Sequence, residues 1–241
     1  MADEQRIKAA KKQKDGWWAS IFSGPAANIF LYLIADIKWI TPNHVTSFSL
    51  LLCFLSSILI GTGKTQLLII AAILVQLVFI FDCLDGQLAR YRSQSSNFGA
   101  WFDRVTDRLK DFLIYFSIAW GHYHIYNDWK IWPLAMAAMF FVFLFDYYVN
   151  QDIKLEAKDQ LQVLNIKTKS LFENAMKSIF SIGEMIYKSV PILQFHIGEQ
   201  YLLISLFLLF GQTRLLLYFV VILGVFYSIY WPLAKYNGRK P

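Results

Sequence analysis

The amino-acid sequence predicts an all-α integral membrane protein: six transmembrane helices preceded by an N-terminal interfacial amphipathic helix. Three observations point there. The chain of 241 residues is 56% hydrophobic and 17% aromatic, with a mean hydropathy of +0.41, outside the range of an ordinary soluble domain. Apolar stretches of helical length recur from residue 42 to residue 233. Lysine and arginine crowd alternate connections between those stretches and nearly vanish from the others, the pattern of a chain that crosses a bilayer repeatedly.

Residues 1–40 read as a basic lead followed by interfacial helix. Arg6, Lys8, Lys11, Lys12 and Lys14 come first. From Gly16 to Ile40 the apolar residues Trp17, Trp18, Ile21, Phe22, Ile29, Phe30, Leu33, Ile34 and Ile37 recur at three- and four-residue spacing, with Ser20, Ser23, Asn28, Tyr32 and Asp36 on the other face. Pro25 splits the segment, so a pair of amphipathic helices is expected, with Trp17 and Trp18 at headgroup level. Residues 41–241 then form one membrane domain. Pro42 suits the opening of the first span, and the predicted spans are 43–61, 66 to about 90, 99–121, 131–150, 199–211 and 215–233. Residues 151–198 are too polar to cross but carry periodic apolar positions such as Leu155, Leu161, Leu164 and Leu171, which predicts amphipathic helix along the cytoplasmic surface.

Charge placement sets the orientation. Arg90, Arg92, Arg104, Arg108 and Lys110 sit at the 90–110 junction of the second and third spans, Lys154, Lys158, Lys167, Lys169, Lys177 and Lys188 between the fourth and fifth, and Lys235, Arg239 and Lys240 after the sixth. The opposite connections hold only Lys64, Lys130 and Arg214. Both termini are therefore expected in the cytoplasm, in a bacterial or archaeal inner membrane or an ER-type membrane. The net charge of +6 follows from this distribution; with no basic stripe, nucleic acid is excluded as a partner. Cys53 and Cys83 fall within apolar helices and predict no disulfide, and no cleavable signal peptide is apparent.

One segment breaks the apolar pattern. Asp82-Cys83-Leu84-Asp85-Gly86-Gln87-Leu88-Ala89-Arg90 is followed, after eight residues, by Gly99-Ala100-Trp101-Phe102-Asp103-Arg104-Val105-Thr106-Asp107. The apolar run ending at Phe81 is too short to cross by itself, so its helix continues past Asp82 and leaves the acids near the inner boundary of the apolar layer. An unpaired charge there costs at least about 2.5 kcal/mol, so something cationic must neutralise the cluster. Asp82, Asp85 and Ala89 share one helix face; Gly99, Asp103 and Asp107 share one face of the next helix. Gly86 and Ala89 leave room for a ligand close to the backbone. Paired carboxylates beside small residues suit divalent metal and phosphate chemistry. The competing reading pairs the acids with Arg90, Arg92, Arg104 and Arg108 as a solvated loop, and it leaves the small residues unexplained.

The run resembles the signature of the CDP-alcohol phosphotransferase family, D-x2-D-G-x2-A-R-x8-G-x3-D-x3-D, at every fixed position: Asp82, Asp85, Gly86, Ala89, Arg90, Gly99, Asp103 and Asp107. The likeness extends more loosely to the six-span layout and to Pro42-Asn43-x-x-Thr46, and says little about residues 150–241. It implies transfer of a phosphoalcohol group, expected to be phosphatidyl, from a CDP-linked alcohol such as CDP-diacylglycerol to the hydroxyl of a second alcohol, with release of CMP, in phospholipid biosynthesis. It implies that Asp82, Asp85, Asp103 and Asp107 hold two divalent cations, Mg2+ or Mn2+, with Asp107 also the general base. Gly86, Ala89 and Arg90 would contact the CDP portion, with Asn43, Thr46 and Gly99 beside it. Arg104, Arg108 and Asn150 are candidates for the acceptor site. Members of the family commonly pair, so a homodimer is expected.

Two other readings remain in view. A transferase of the same family could instead move a CDP-linked headgroup of the inositol, choline or ethanolamine type to a lipid hydroxyl. A cation transporter could use the four aspartates as an ion site, though it would need neither Gly86, Ala89 nor Arg90. Gly61-Thr62-Gly63-Lys64-Thr65 imitates a phosphate-binding loop but has Ile58 where that motif requires glycine. His122 and His124 lack zinc-ligand spacing and read as packing residues. His44 reads as a helix-start polar residue, and Asp111 as a partner of Arg108 or Lys110.

Overall fold

The computed structural model describes residue 10, residues 16–159 and residues 196–236, without the side chains of 150–159 and 234–236. Among the described residues there are seven α-helices and no strand: α1 (Gly24–Ile34), α2 (Pro42–Gly61), α3 (Thr65–Tyr91), α4 (Asn97–Tyr126), α5 (Ile131–Asp159), α6 (Ile197–Leu209) and α7 (Thr213–Tyr236). Four segments are long and apolar enough to cross a membrane, namely Pro42–Gly61, Thr65–Tyr91, Ile131–Val149 and Thr213–Leu233. The other two predicted spans differ for local reasons. The first half of α4 carries the charged motif, and α6 has only 13 residues, against the roughly 20 a crossing helix needs.

Residues 17–34 form one helical run rather than the helix pair that Pro25 suggested. The chain passes into α1 through a π-helical turn, Ala19–Ser23, in which the Gly24 N–H donates to the Ala19 carbonyl. Proline lacks an N–H and crowds the carbonyl four residues back; widening the turn removes both conflicts, and Pro25 then lies in the first turn of α1. A Cβ at position 24 would lie 2.7 Å from the Ala19 carbonyl oxygen, so glycine is required at this bend. Ala27, Leu31 and Ala35 pack onto Ile80, Leu84 and Leu88 of α3, while Ile21, Ile29 and Leu33 remain exposed on the opposite face, an apolar surface suited to lipid.

Helix α2 is the spine of the site. Thr41 caps it, accepting from the His44 backbone N–H at 3.3 Å, with the His44 ring completing the capping box. That accounts for His44 as a helix-start residue. The buried face of α2 is unusually small and hydroxylated. Ser49 donates to the Val78 carbonyl at 2.9 Å and Ser56 to the Ala71 carbonyl at 3.1 Å, so α2 and α3 approach closely and the hydroxyls are satisfied inside an apolar layer. At the far end of α2 the Gly63–Gly121 approach leaves no space for side chains: a Cβ on Gly121 would meet the Ile60 carbonyl at 2.4 Å, and Gly63 has φ +65°. The loop that imitates a phosphate-binding motif is therefore a tight connection between helices.

Helices α3 and α4 both pack along α2 but have little backbone contact with each other. Although they are consecutive in the chain, α2 holds them apart and leaves a cleft between their motif-bearing ends. Helix α6 packs on α3, and α5 on α7. Helix α5 runs to Asp159, past the expected boundary at 150, so the predicted surface segment 151–198 begins as a continuation of this helix; residues 160–195 lie outside the described residues.

The connection after α1 is clasped by one side chain. Arg92, just past the end of α3, donates to the carbonyls of Ile34 (3.0 Å), Ala35 (3.0 Å and 2.9 Å), Ile37 (2.8 Å) and Ile40 (2.6 Å). These carbonyls lie at the end of α1 and in the irregular link to α2, where the helical ladder gives out; those of Ile34 and Ile37 also accept turn bonds from the Ile37 and Ile40 N–H groups. Arg92→Ala is expected to lower stability by about 2–4 kcal/mol, read as a drop in melting temperature and as proteolysis within residues 34–41. Arg92→Lys should recover little, because an ammonium lacks the planar fork.

Candidate active site

The motif residues converge where the cleft between α3 and α4 opens. One carboxylate oxygen each from Asp82, Asp85 and Asp103 lies within 4.8 Å of the others. The spacing of three along α3 turns Asp82 and Asp85 to the same side, and α4 brings Asp103 across to them. Asp85 is only 6% exposed and its Oδ2 accepts from the Thr46 hydroxyl at 2.5 Å, so α2 orients this carboxylate from behind. Asp107, one turn beyond Asp103 on α4, is drawn to a different partner: its Oδ1 accepts from Lys110 Nζ at 3.2 Å. The same ammonium donates to Asp82 Oδ1. Lys110 is fully buried.

Three converging carboxylates form a hard, all-oxygen donor set, which suits Mg2+ or Mn2+ better than zinc or copper. The residues present therefore fit a divalent cation at Asp82, Asp85 and Asp103.

Two cavities flank the carboxylates. The first, about 360 Å3, is lined by Asn43, Thr46, Gly86, Ala89, Arg90 and Gly99 together with Asp85 and Asp103. All six residues singled out for nucleotide contact thus border one space. Gln94, Ser95 and Ser96, from the link before α4, also line it and carry no periodic signal that would have marked them. The second cavity, about 210 Å3, lies on the other side, against Ser20, Gly24 and Ile197; Asp82 and Asp107 line this one, and Asp85, Gly86, Arg90 and Asp103 border both. Asp85 and Asp103 thus border both cavities, while Asp82 and Asp107 line only the smaller.

The basic residues of the motif region have separate tasks. Arg92 clasps backbone, and Arg90 donates from Nε to the Ala10 carbonyl at 2.6 Å. Arg108 bridges Asp111 at 3.2 Å and Asp146 at 3.4 Å and sits over the Phe143 ring, tying α4 to α5; the pairing of Asp111 with Arg108 is the one its spacing suggested. Neither Arg104 nor Arg108 lines either cavity. Asn150 falls within α5, and its side chain lies outside the described residues. His122 approaches Asp128 at 3.9 Å and packs against Tyr126, far in sequence from the motif.

The Thr46 hydroxyl gives a graded test of the site. Thr46→Val keeps the shape and removes the donor to Asp85. Weakened Mn2+ binding of about 10–100-fold is expected, the usual cost of losing a group that orients a ligand, measured by titration of the purified protein with Mn2+. Unchanged binding would mean that Asp85 needs no support from α2.

Comparison with known proteins agrees with the geometry. A family model described as CDP-alcohol phosphatidyltransferase matches residues 39–230. Among similar proteins, one of Aquifex aeolicus named as a bifunctional IPC transferase and DIPP synthase is 33% identical over 100 residues, 42% of this chain and 22% of its own. A phosphatidylinositol phosphate synthase of Corynebacterium glutamicum is 32% identical over 121 residues, 50% of each chain. An archaetidylinositol phosphate synthase of Pyrococcus horikoshii is 39% identical over 82 residues, 34% of this chain and 42% of its own. The chain thus spans half or less of the length of these relatives.

Proposed function

Because the chain belongs to the CDP-alcohol phosphatidyltransferase family, we propose that it is an integral membrane transferase of phospholipid biosynthesis, moving a phosphatidyl group from CDP-diacylglycerol to a small polar alcohol and releasing CMP. The observation that carries this reading is a pair of cavities that share Asp85 and Asp103, with Asp107 lining only the smaller. In phosphoryl transfer the attacking and leaving oxygens lie roughly in line across phosphorus, so donor and acceptor need separate spaces on opposite sides of a charge-neutralising centre. The larger chamber, lined by Asn43, Thr46, Gly86, Ala89, Arg90 and Gly99, takes the CDP portion. The smaller one, with Asp107, takes the acceptor hydroxyl.

Asp82, Asp85 and Asp103 would hold a divalent cation, which would supply neutralisation of the diphosphate and of the charge that develops on departing CMP. The resemblance implies two such ions, and a second would draw on Asp107. The remaining work belongs to side chains. Asp107 accepts the proton of the acceptor hydroxyl as the new O–P bond forms, and the P–O bond to CMP breaks with its electron pair leaving on the CMP phosphate. Arg90 sits between the chambers to hold the diphosphate, and Gly86 lets it lie against the α3 backbone.

The names of two relatives contain inositol phosphate products, which supports inositol phosphate as the first acceptor to test. Six spans, a cytoplasmic site and cytoplasmic termini are supported by the Lys/Arg distribution. In this arrangement residues 1–40 lie at the interface and 41–241 form the membrane domain. Pairing as a homodimer is supported by the resemblance and is testable by cross-linking in the membrane.

The decisive experiment incubates the purified chain with radiolabelled CDP-diacylglycerol, Mg2+ or Mn2+, and a panel of inositol phosphate, glycerol phosphate, serine and inositol, and identifies the lipid product. A labelled phospholipid with stoichiometric CMP is expected. Product only from a CDP-linked headgroup and diacylglycerol would reverse the assignment of donor and acceptor. No CMP with any donor would remove the transferase reading and favour an ion site.

A further inference from the structure

The four acids of the cradle stand at the edge of the apolar layer, where unneutralised carboxylates would repel one another and resist burial. The structure supplies a cation for two of them from below. Lys110 arises from α4 one turn after Asp107, is wholly excluded from solvent, and donates from Nζ to both Asp82 and Asp107. Its backbone is held as well: the Lys110 carbonyl accepts from the Cys53 thiol of α2 at 3.7 Å. Its ammonium therefore joins α3 to α4 across the cleft where the two backbones barely touch. A buried lysine is costly unless paired and hydrogen-bonded, so this one is tolerated because of the acids, and the acids because of it.

We propose that Lys110 is a resident counter-cation: it holds Asp82 and Asp107 converged when no divalent ion is bound, and by its charge it weakens the cradle's grip on that ion so that the ion exchanges. This rests on the reading of Asp82, Asp85 and Asp103 as a cation site and adds a positioning residue to it. The two halves of the proposal have opposite signatures in one variant. Lys110→Met keeps most of the side-chain volume and removes the charge. Without metal the variant loses the neutraliser of a buried acid pair and becomes less stable. With metal it presents one more uncompensated negative charge to the ion and binds it more tightly. A lysine that merely scaffolds the fold would weaken both when removed.

The test uses the full chain in detergent, with Mn2+ alone as the probe and no substrate. Wild type is expected to give a cooperative melt in EDTA. Lys110→Met should melt several degrees lower in EDTA, regain the loss on adding Mn2+, and bind Mn2+ on the order of tenfold more tightly. Lys110→Arg should restore the weaker wild-type affinity. Mn2+ binding by Lys110→Met that is equal to or weaker than wild type would overturn the proposal. If the variant cannot be obtained folded, wild type decides: loss of its cooperative melt in EDTA would show that metal, rather than Lys110, neutralises the resting cradle, whereas a retained melt supports the lysine. Because no CDP compound is present, failure here and failure of CMP release are separate results.

Discussion

Asp107→Asn is expected to lower CMP release by about 10²–10⁴-fold, the range for loss of a general base, while binding of a CDP ligand should largely persist. The split follows from the two chambers. Asp107 lines the smaller cavity and is absent from the lining of the larger one, so the nucleotide contacts proposed at Asn43, Gly86 and Arg90 should be untouched. The amide keeps the size of the acid and can still accept from Lys110, which retains its other partner in Asp82; the fold should survive, and a melting curve checks that it does. What the amide cannot do is take the acceptor's proton. The measurement is single-turnover CMP release beside equilibrium binding of CDP. Turnover near the wild-type rate would contradict the base assignment, and parallel loss of binding would place Asp107 among the groups that hold the donor.

Asp85→Asn should be at least as damaging, with activity lost by about 10³-fold or more and chelation by EDTA having a comparable effect in wild type. Asp85 borders both cavities and is one of the three converging carboxylates. The substituted amide can still accept from the Thr46 hydroxyl, so the change removes charge without releasing α2 from α3. Mn2+ affinity should fall together with activity, in contrast to Asp107→Asn, where chemistry fails with the donor still bound. Thr46→Val should land between wild type and Asp85→Asn, because it disturbs the orientation of the carboxylate and leaves its charge. If Asp85→Asn turned over normally, the carboxylate trio would not be the catalytic cation site.

These tests rely on residues of unequal visibility in the sequence. Asp82 with Asp85, and Asp103 with Asp107, were legible because helical spacing is local: residues three or four apart must share a face once the helix forms. Six residues of the larger cavity were legible through the family signature and through Pro42-Asn43-x-x-Thr46, whereas Gln94, Ser95 and Ser96 were not. Lys110 was not. Its separation of three from Asp107 is also what an exposed ion-paired face would show, and only packing against α2 and α3 makes it a buried bridge. Arg92 was hidden for a related reason, since its carbonyl partners lie more than fifty residues away. Pro25 was visible but misleading: a helix breaker by local rules, it is absorbed by a π-turn that depends on Gly24.

Local chemistry alone determined that this chain is helical, rich in membrane-length apolar segments, and marked by an acidic signature, because hydrophobic content, helical period and motif spacing are properties of neighbouring residues. Tertiary structure decided that α2 would hold the two motif helices apart, that Asp85 and Asp103 would border two cavities, and that a buried lysine would join Asp82 to Asp107. Those outcomes depend on distances between helices, which are set by how small hydroxylated faces and bulky apolar ones pack, and no single stretch of sequence contains that information.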